Sequence, residues 1–204
     1  MELQGEILPG YKVCEYLIVL NPHEELAKRI TETRKEFNDN YKIETKVAAR
    51  PNLALVRFTQ YELKEERITA KLKAIALGFP PFKVELKDYG SFPSHTIFIN
   101  VTSKLPIQNL VKEIRSETQQ LMKLNDDNKP HFIAEPNFTL GNKLKPWQYE
   151  AGWLKYSNRN FTGRFIADSF LVLKRPEGGR SWQILRRFEF QNMPVHIRQG
   201  ELFA

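Results

Sequence analysis

The segment RPNLALVRF, residues 50 to 58, contains the pattern Pro-Asn-apolar-small-Leu, and EPNFTLGNK, residues 135 to 143, repeats that pattern 85 positions later. An apolar run that follows a Pro-Asn pair is typical of a strand that begins just after a turn. A strand motif repeated in this way predicts two similar halves. We therefore expect the motif strands, near residues 51–58 and 136–143, to meet at a shared cleft.

Length and composition restrict the class of protein. The 204 residues, 41% of them hydrophobic, are enough to bury a core, and we expect one domain of two similar lobes over residues 1–204. The single cysteine, Cys14, cannot form an internal disulfide, and the first residues lack the apolar run of a secretory signal. The apolar runs are too short to span a bilayer. These features predict a cytoplasmic monomer without membrane contact.

The basic charge is concentrated near the C-terminus. The net charge is +7, and residues 141–204 hold 11 Lys or Arg but only 5 Asp or Glu, together with all three tryptophans. Cations attract phosphates and aromatic rings stack on bases, so this combination suits a nucleotide or RNA ligand. An aromatic core beneath a solvated basic surface would produce the same composition, and that interpretation also stays open.

Hydrophobic periodicity predicts a similar order of elements in the two halves. Around the first motif strand we expect a strand, a helix, a strand, a helix and two strands, over residues 11–20, 23–37, 41–48, 61–79, 82–90 and 95–101. Around the second motif strand we expect a helix, a helix, a long strand and a final strand, over residues 106–124, 146–157, 161–173 and 181–190. Each half therefore places one Pro-Asn strand between helices.

The paired motifs resemble those of the two-histidine phosphoesterase superfamily, which includes the 2′-5′ RNA ligases and cyclic phosphodiesterases. YLIVLNPHEELAKRI (residues 16–30) is similar to the family's first strand and helix, and FLVLKRPEGGRSWQILRRFEF (residues 170–190) is similar to its closing hairpin. GSFPSHTIFINVTSKLPIQNLVKEI, residues 90–114, is similar to its middle strand and the helix that follows. The resemblance implies an α+β fold, bilobal and pseudo-symmetric, in which two antiparallel sheets face each other across a central cleft with helices outside. It implies no cofactor and no metal.

The two histidines that define this family are absent from the motifs. Family members typically read His-x-Thr or His-x-Ser, where the histidines act as general base and acid and the hydroxyls hold phosphate oxygens. By position, Asn52 and Ala54 fill the first motif, and Asn137 and Thr139 fill the second. A carboxamide does not exchange a proton near pH 7, although its N–H can still donate to a phosphate oxygen. The resemblance therefore implies a catalytically reduced protein that binds a nucleotide, a cyclic phosphate or an RNA end.

We predict a ligand site formed by Asn52, Asn137, Thr139, Lys143 and Arg186. Alternation along a strand places Asn137, Thr139 and Lys143 on one face if the strand extends to Lys143. Arg186 is a cation in an otherwise apolar row, where a role at the cleft competes with a bulge that turns it outward. The simpler interpretation of each Pro-Asn pair is a local cap at the start of a strand.

An active phosphoesterase is the alternative, with His95, His131 or a bound metal in place of the motif histidines. His131 fits the motif less well than Asn137, because Ile133 would then occupy the hydroxyl position. If neither histidine projects into the cleft beside Asn52 and Asn137, this alternative loses the side chains that titrate near neutral pH. A purely structural or partner-binding role is a third possibility.

Overall fold

The computed structural model describes residues 10–43 and 50–193. In these residues the strands are β1 (Val13–Leu20), β2 (Leu53–Tyr61), β3 (Phe82–Phe92), β4 (Thr96–Val101), β5 (His131–Phe132), β6 (Asn137–Gly141), β7 (Thr162–Ala167), β8 (Ser169–Pro176) and β9 (Gln183–Glu189). The α-helices are α1 (Glu24–Tyr41), α2 (Glu65–Gly78), α3 (Lys104–Met122) and α4 (Pro146–Tyr156), and a 3-10 turn (Glu62–Lys64) precedes α2. The strand predicted over residues 41–48 falls on the end of α1 and on residues 44–49, which lie outside the described residues.

The strands form two antiparallel sheets, so the predicted α+β fold is confirmed. Sheet A has the strand order β5-β2-β1-β8-β9, and sheet B has the order β6-β4-β3-β7. Helices α2 and α3 contact sheet A, whereas α1 and α4 contact sheet B. The two motif strands, β2 and β6, therefore belong to different sheets.

Each sheet combines strands from both halves of the sequence. In sheet A, β2 lies beside β1, the strand one helix earlier, and in sheet B, β6 lies beside β4 in the same relation. The next strand is β8 in sheet A, from the second half of the chain, and β3 in sheet B, which the sequence analysis grouped with β4 in the first half. The two motif strands therefore occupy comparable places, each one helix after the strand beside it.

Helix α1 follows from an amphipathic pattern. Its buried stripe includes Leu26, Ile30, Phe37 and Tyr41, which recur at helical spacing and pack into the main core. The His23 ring accepts a hydrogen bond from the Leu26 backbone N–H at 3.4 Å and so caps the first turn. The helix thus lies across sheet B, with its C-terminal half beside β6.

The single strand predicted over residues 161–173 is wrong. The chain forms β7, which pairs with β3 in sheet B, and then β8, which pairs with β1 and β9 in sheet A. Asp168 is the one residue between these strands, and its carbonyl accepts a hydrogen bond from the Phe190 N–H at 2.8 Å. Hydrophobic periodicity indicates which residues share a face of a strand, but it does not indicate which neighbouring strand they pair with. The change of sheet was therefore invisible in the sequence.

Candidate ligand site between the two motif strands

The first motif lies at the start of β2. Asn52 immediately precedes the strand and is half-buried, and its side chain makes no hydrogen bond to the described part of the chain. Ala54 pairs with Val19, which pairs in turn with Leu171 on β8. Ala54 packs against an apolar cluster formed by Leu17, Val19, Leu171 and Leu173. This cluster lies on the face of sheet A that is turned away from the helices of that sheet. Ala54 thus presents a methyl group to an apolar patch. We call this side of sheet A its open face.

The second motif forms a hydrogen-bonded pair. The Thr139 hydroxyl donates to Asn137 Oδ1 at 3.0 Å, and Asn137 Nδ2 donates to the Glu135 carbonyl at 3.1 Å. Phe138 and Leu140 point the other way and are buried in the core. The predicted shared face of Asn137 and Thr139 is confirmed. The local cap expected of a Pro-Asn pair is also present, and it leaves one of the two amide hydrogens of Asn137 without a partner in the described residues.

The path of the chain brings the two motifs close together. The Ile133 N–H donates to the Leu55 carbonyl at 2.9 Å, so the end of β5 lies against the first motif strand. Asn137 follows Ile133 by four residues, which span at most about 14 Å even when fully extended. Strands β2 and β6 also contact each other directly. The two motif strands are therefore in contact, although they belong to different sheets.

Two predicted site residues lie elsewhere than expected. Strand β6 ends at Gly141, and Lys143 has a left-handed backbone with φ 54°, so alternation does not place Lys143 on the face of Asn137 and Thr139. Strand β9 contains a bulge that places Arg186 opposite Val172, a core residue, and Arg187 opposite Leu171. Arg187 therefore projects from the open face of sheet A, where the sequence had suggested Arg186.

Neither candidate histidine lies beside the motif asparagines. His95 occupies the turn between β3 and β4, whereas Asn137 pairs with Asn100, five residues or about 16 Å further along β4. His131 on β5 lies opposite Arg57 on β2, and Arg57 in turn lies opposite Leu17 on β1. Asn52 lies beside the residue that follows β1, and this position is four residues, or about 13 Å, along the strand from Leu17. Proton transfer needs hydrogen-bond reach, and these separations exceed it several-fold.

Arg34 is a cation beside the second motif strand that the sequence analysis missed. It lies on α1, and its Nε donates to the carbonyl of Thr139 at 3.1 Å. Burial lowers the pKa of its guanidinium, and no carboxylate in the described residues pairs with it. Arg34 falls within the buried stripe of α1 between Ile30 and Phe37, so the criterion that singled out Arg186, a cation in an apolar row, would have found it.

The tryptophans have three different environments. Trp182 lies on the open face of sheet A, where the Arg175 guanidinium stacks on its ring at 4.5 Å and also pairs with Glu15. Trp153 packs against the core, and Trp147 is exposed on α4. Trp153 therefore fits the interpretation of an aromatic core, and stacking of the other two rings on a base stays a prediction.

The described residues contain no group of three or more His, Cys, Asp or Glu side chains that could hold a metal ion. In the same residues, every helix is too short or too polar to cross a membrane.

The chain belongs to the 2′-5′ RNA ligase superfamily, whose family model matches residues 22–179. No curated relative matches the chain.

Solved structures with the same fold include TT0787 of Thermus thermophilus, which is 14% identical, with a TM-score of 0.61 over 87% of this chain and 98% of that chain. LigT of E. coli in complex with 3′-AMP is 15% identical, with a TM-score of 0.53 over 88% and 98% of the two chains. LigT in complex with NADP+ is 18% identical, with a TM-score of 0.55 over 88% and 99%. At these identities the likeness establishes the fold.

Proposed function

We propose that the two motif strands bind a nucleotide, a cyclic phosphate or an RNA end without the acid–base chemistry of a two-histidine site. The observation that carries this proposal is the asparagine at both motif positions, Asn52 and Asn137, on neighbouring strands. The solved complexes of the structural neighbour LigT with 3′-AMP and with phosphate support the choice of ligand class.

Binding of a phosphate at the motif strands requires free hydrogen-bond donors. Asn52 and Asn137 each keep amide hydrogens that the described residues leave free, and the guanidinium of Arg34 lies against the backbone of Thr139. Charge-assisted hydrogen bonds to phosphate are about twice as strong as neutral ones. Because the Thr139 hydroxyl already donates to Asn137, that bond holds the carboxamide in one orientation before the ligand arrives.

The catalytic side rests on proton transfer. Each general acid or base contributes roughly 10²- to 10⁴-fold to a rate, and the two act as a unit, so losses need not multiply. A carboxamide supplies neither role near neutral pH. The ligand should therefore bind without being cleaved or joined.

Titration calorimetry with inorganic phosphate and AMP tests the binding. We expect Asn137→Ala to weaken both ligands about tenfold, since a hydrogen bond to a charged group contributes about 1.5–3 kcal/mol. Thr139→Ala should act in the same direction, and Lys143→Ala should mainly reduce the salt dependence. Thr162→Ala, on the opposite edge of sheet B, is the matched control. Unchanged binding by both second-motif variants would remove this motif from the site.

An assay of 2′,3′-cyclic phosphodiesterase and RNA-joining activity tests the catalysis. We expect the natural protein to show no turnover above background. The combined substitutions Asn52→His, Ala54→Thr and Asn137→His should raise turnover from that level, whereas either histidine alone should do much less. Turnover by the natural protein that survives Asn52→Ala and Asn137→Ala would contradict the proposal.

An active phosphoesterase remains the second candidate. His131 lies opposite Arg57 and Arg57 opposite Leu17, so both side chains belong to the open face of sheet A. A histidine beside an arginine could serve a ligand bound further along that face. This candidate requires that the natural protein turn over a cyclic nucleotide and that His131→Ala abolish the activity. The same substitution should leave phosphate binding unchanged if our proposal holds.

We also infer a cytoplasmic monomer. Cys14 is a buried free thiol whose pKa is raised by burial, so it is held as an unreactive side chain that suits a reducing compartment. Light scattering of the purified protein should give the mass of one chain, 23.9 kDa. Fluorescence microscopy of a tagged protein in its own cells tests the location.

A further inference from the structure

A pocket of about 480 Å³ lies where the two sheets meet. Asn21 and Arg50 line the side nearest the first motif. Leu20 pairs with Leu53, so Asn21, the next residue, is level with Asn52. The pocket therefore borders the proposed phosphate site, and its volume is within the range of small-molecule sites.

Aliphatic side chains from both sheets form its walls. Ile166 projects from β7 of sheet B and is 60% exposed, and Ile184 projects from β9 of sheet A and is 67% exposed. Leu171 completes the apolar lining, and Arg187 lies opposite it in the β8–β9 pair. Six polar or charged residues also line the pocket, so its lining suits a heteroaromatic ring that carries hydrogen-bonding groups.

Asp168 supplies the hydrogen-bonding edge of the pocket. It is the one residue between β7 and β8, and the bond from Phe190 to its carbonyl fixes its backbone. Its Oδ1 accepts from the Ser169 hydroxyl at 2.7 Å and from Arg187 Nη2 at 3.3 Å. In the described residues Oδ2 has no partner. An ionised carboxylate only accepts hydrogen bonds, so this edge selects for donors.

We propose that this pocket holds the nucleobase of the bound nucleotide and that Asp168 makes it prefer guanine. The inference rests on the proposed function, because the phosphate of the same ligand would occupy the motif strands. The Watson–Crick edge of guanine presents two adjacent donors, N1–H and the N2 amino group. The free Oδ2 accepts one of them, and the other takes the place of the Ser169 hydroxyl on Oδ1. Adenine and cytosine place an acceptor beside their amino group, and uracil has one donor between two carbonyls.

The neighbouring cations favour this arrangement. Arg187 Nη2 lies 3.3 Å from Asp168 Oδ1, so a cation stands beside the carboxylate. Arg50 Nη2 donates to the Pro22 carbonyl at 3.3 Å, and both residues line the pocket. A guanine nucleotide would thus meet an acceptor at its base edge and a cation towards its phosphate.

Competitive binding measurements with GMP, IMP, AMP, UMP and inorganic phosphate test the inference. We expect GMP to bind at least tenfold more tightly than AMP, since a good bidentate pair gives about 1–3 kcal/mol of discrimination. IMP, which lacks the N2 amino group, should fall between them. Asp168→Asn should abolish the preference and leave the affinity for inorganic phosphate unchanged.

Glu189→Gln is the matched control, because Glu189 also contacts Arg187, at 3.7 Å, but does not line the pocket. Ile184→Ser should weaken every nucleotide while sparing inorganic phosphate. Phosphate binding with GMP no tighter than AMP, or a preference that survives Asp168→Asn, would overturn this inference and leave the proposed function standing. Failure of inorganic phosphate and all nucleotides to bind would overturn both.

Discussion

Replacement of Arg34 by methionine separates a structural role from a ligand-binding role. Arg34 donates from Nε to the Thr139 carbonyl at 3.1 Å, and the described residues offer it no carboxylate. Burial lowers its pKa, but an arginine stays protonated at neutral pH. A positive charge is therefore held partly desolvated against the backbone of β6. We predict that this charge also attracts a phosphate bound at the second motif.

The expected effects on stability and on binding differ in size. Arg34→Met loses a charge-assisted hydrogen bond of about 1.5–3 kcal/mol but also removes the cost of burying the charge, so the free energy of unfolding should change by less than about 1 kcal/mol. Two unit charges about 5 Å apart interact by about 3 kcal/mol at an effective dielectric constant near 20. Solvent screening reduces this value, so phosphate affinity should fall about ten- to a hundredfold.

The assay combines calorimetry with inorganic phosphate and urea unfolding, and Arg29→Met is the matched variant. Arg29 lies on the same helix and also donates to a strand carbonyl, that of Thr162 at 3.0 Å, but on β7 rather than β6. Its guanidinium stacks on Phe161 at 5.2 Å. Equal losses of phosphate affinity in the two variants, or none in Arg34→Met, would refute this reasoning.

Two further predictions concern stability. Gly141→Ala would place a methyl group 2.5 Å from a Phe37 ring atom, and it should lower the free energy of unfolding measured in urea by about 1–3 kcal/mol. Gly152→Ala, whose nearest contact is at 3.0 Å, should cost less, because alanine favours a helix over glycine by about 1 kcal/mol. A hydrogen bond from Arg159 lowers the pKa of Glu36 in the folded protein below its usual value. The ionised Glu36 therefore stabilises the fold fully above the pKa of the unfolded chain, near 4.3, and this stabilisation is lost as the pH falls through the lower folded pKa. Urea midpoints measured from pH 6 to pH 2 should therefore fall less steeply for Glu36→Gln than for the natural protein.

Local patterns predicted most elements of this fold. The stripe through Leu26, Ile30 and Phe37 identified α1, and the Pro-Asn pairs identified where both motif strands begin. These features depend on neighbours in the chain, which the sequence displays directly. The family resemblance then supplied the two-sheet arrangement, which periodicity alone does not specify.

Features set by distant partners were not predictable. The split at Asp168 depends on which sheet each flanking strand joins, and the exchange of Arg186 for Arg187 at the open face depends on a bulge in the β8–β9 ladder. A one-residue shift of register moves a side chain to the other face of a sheet. Arg34 differs from these two, because its position in an apolar stripe was visible in the sequence.

The most direct test of the central claim is a titration of ¹⁵N-labelled protein with inorganic phosphate, followed through the side-chain amide resonances of Asn52 and Asn137. Asn52→Ser and Asn137→Ser variants assign the two signals. If both asparagines hold one phosphate, the two resonances should shift together, with a single dissociation constant that agrees with calorimetry. Phosphate binding that leaves both resonances unmoved, or moves them with different dissociation constants, would contradict a shared site on the two motif strands.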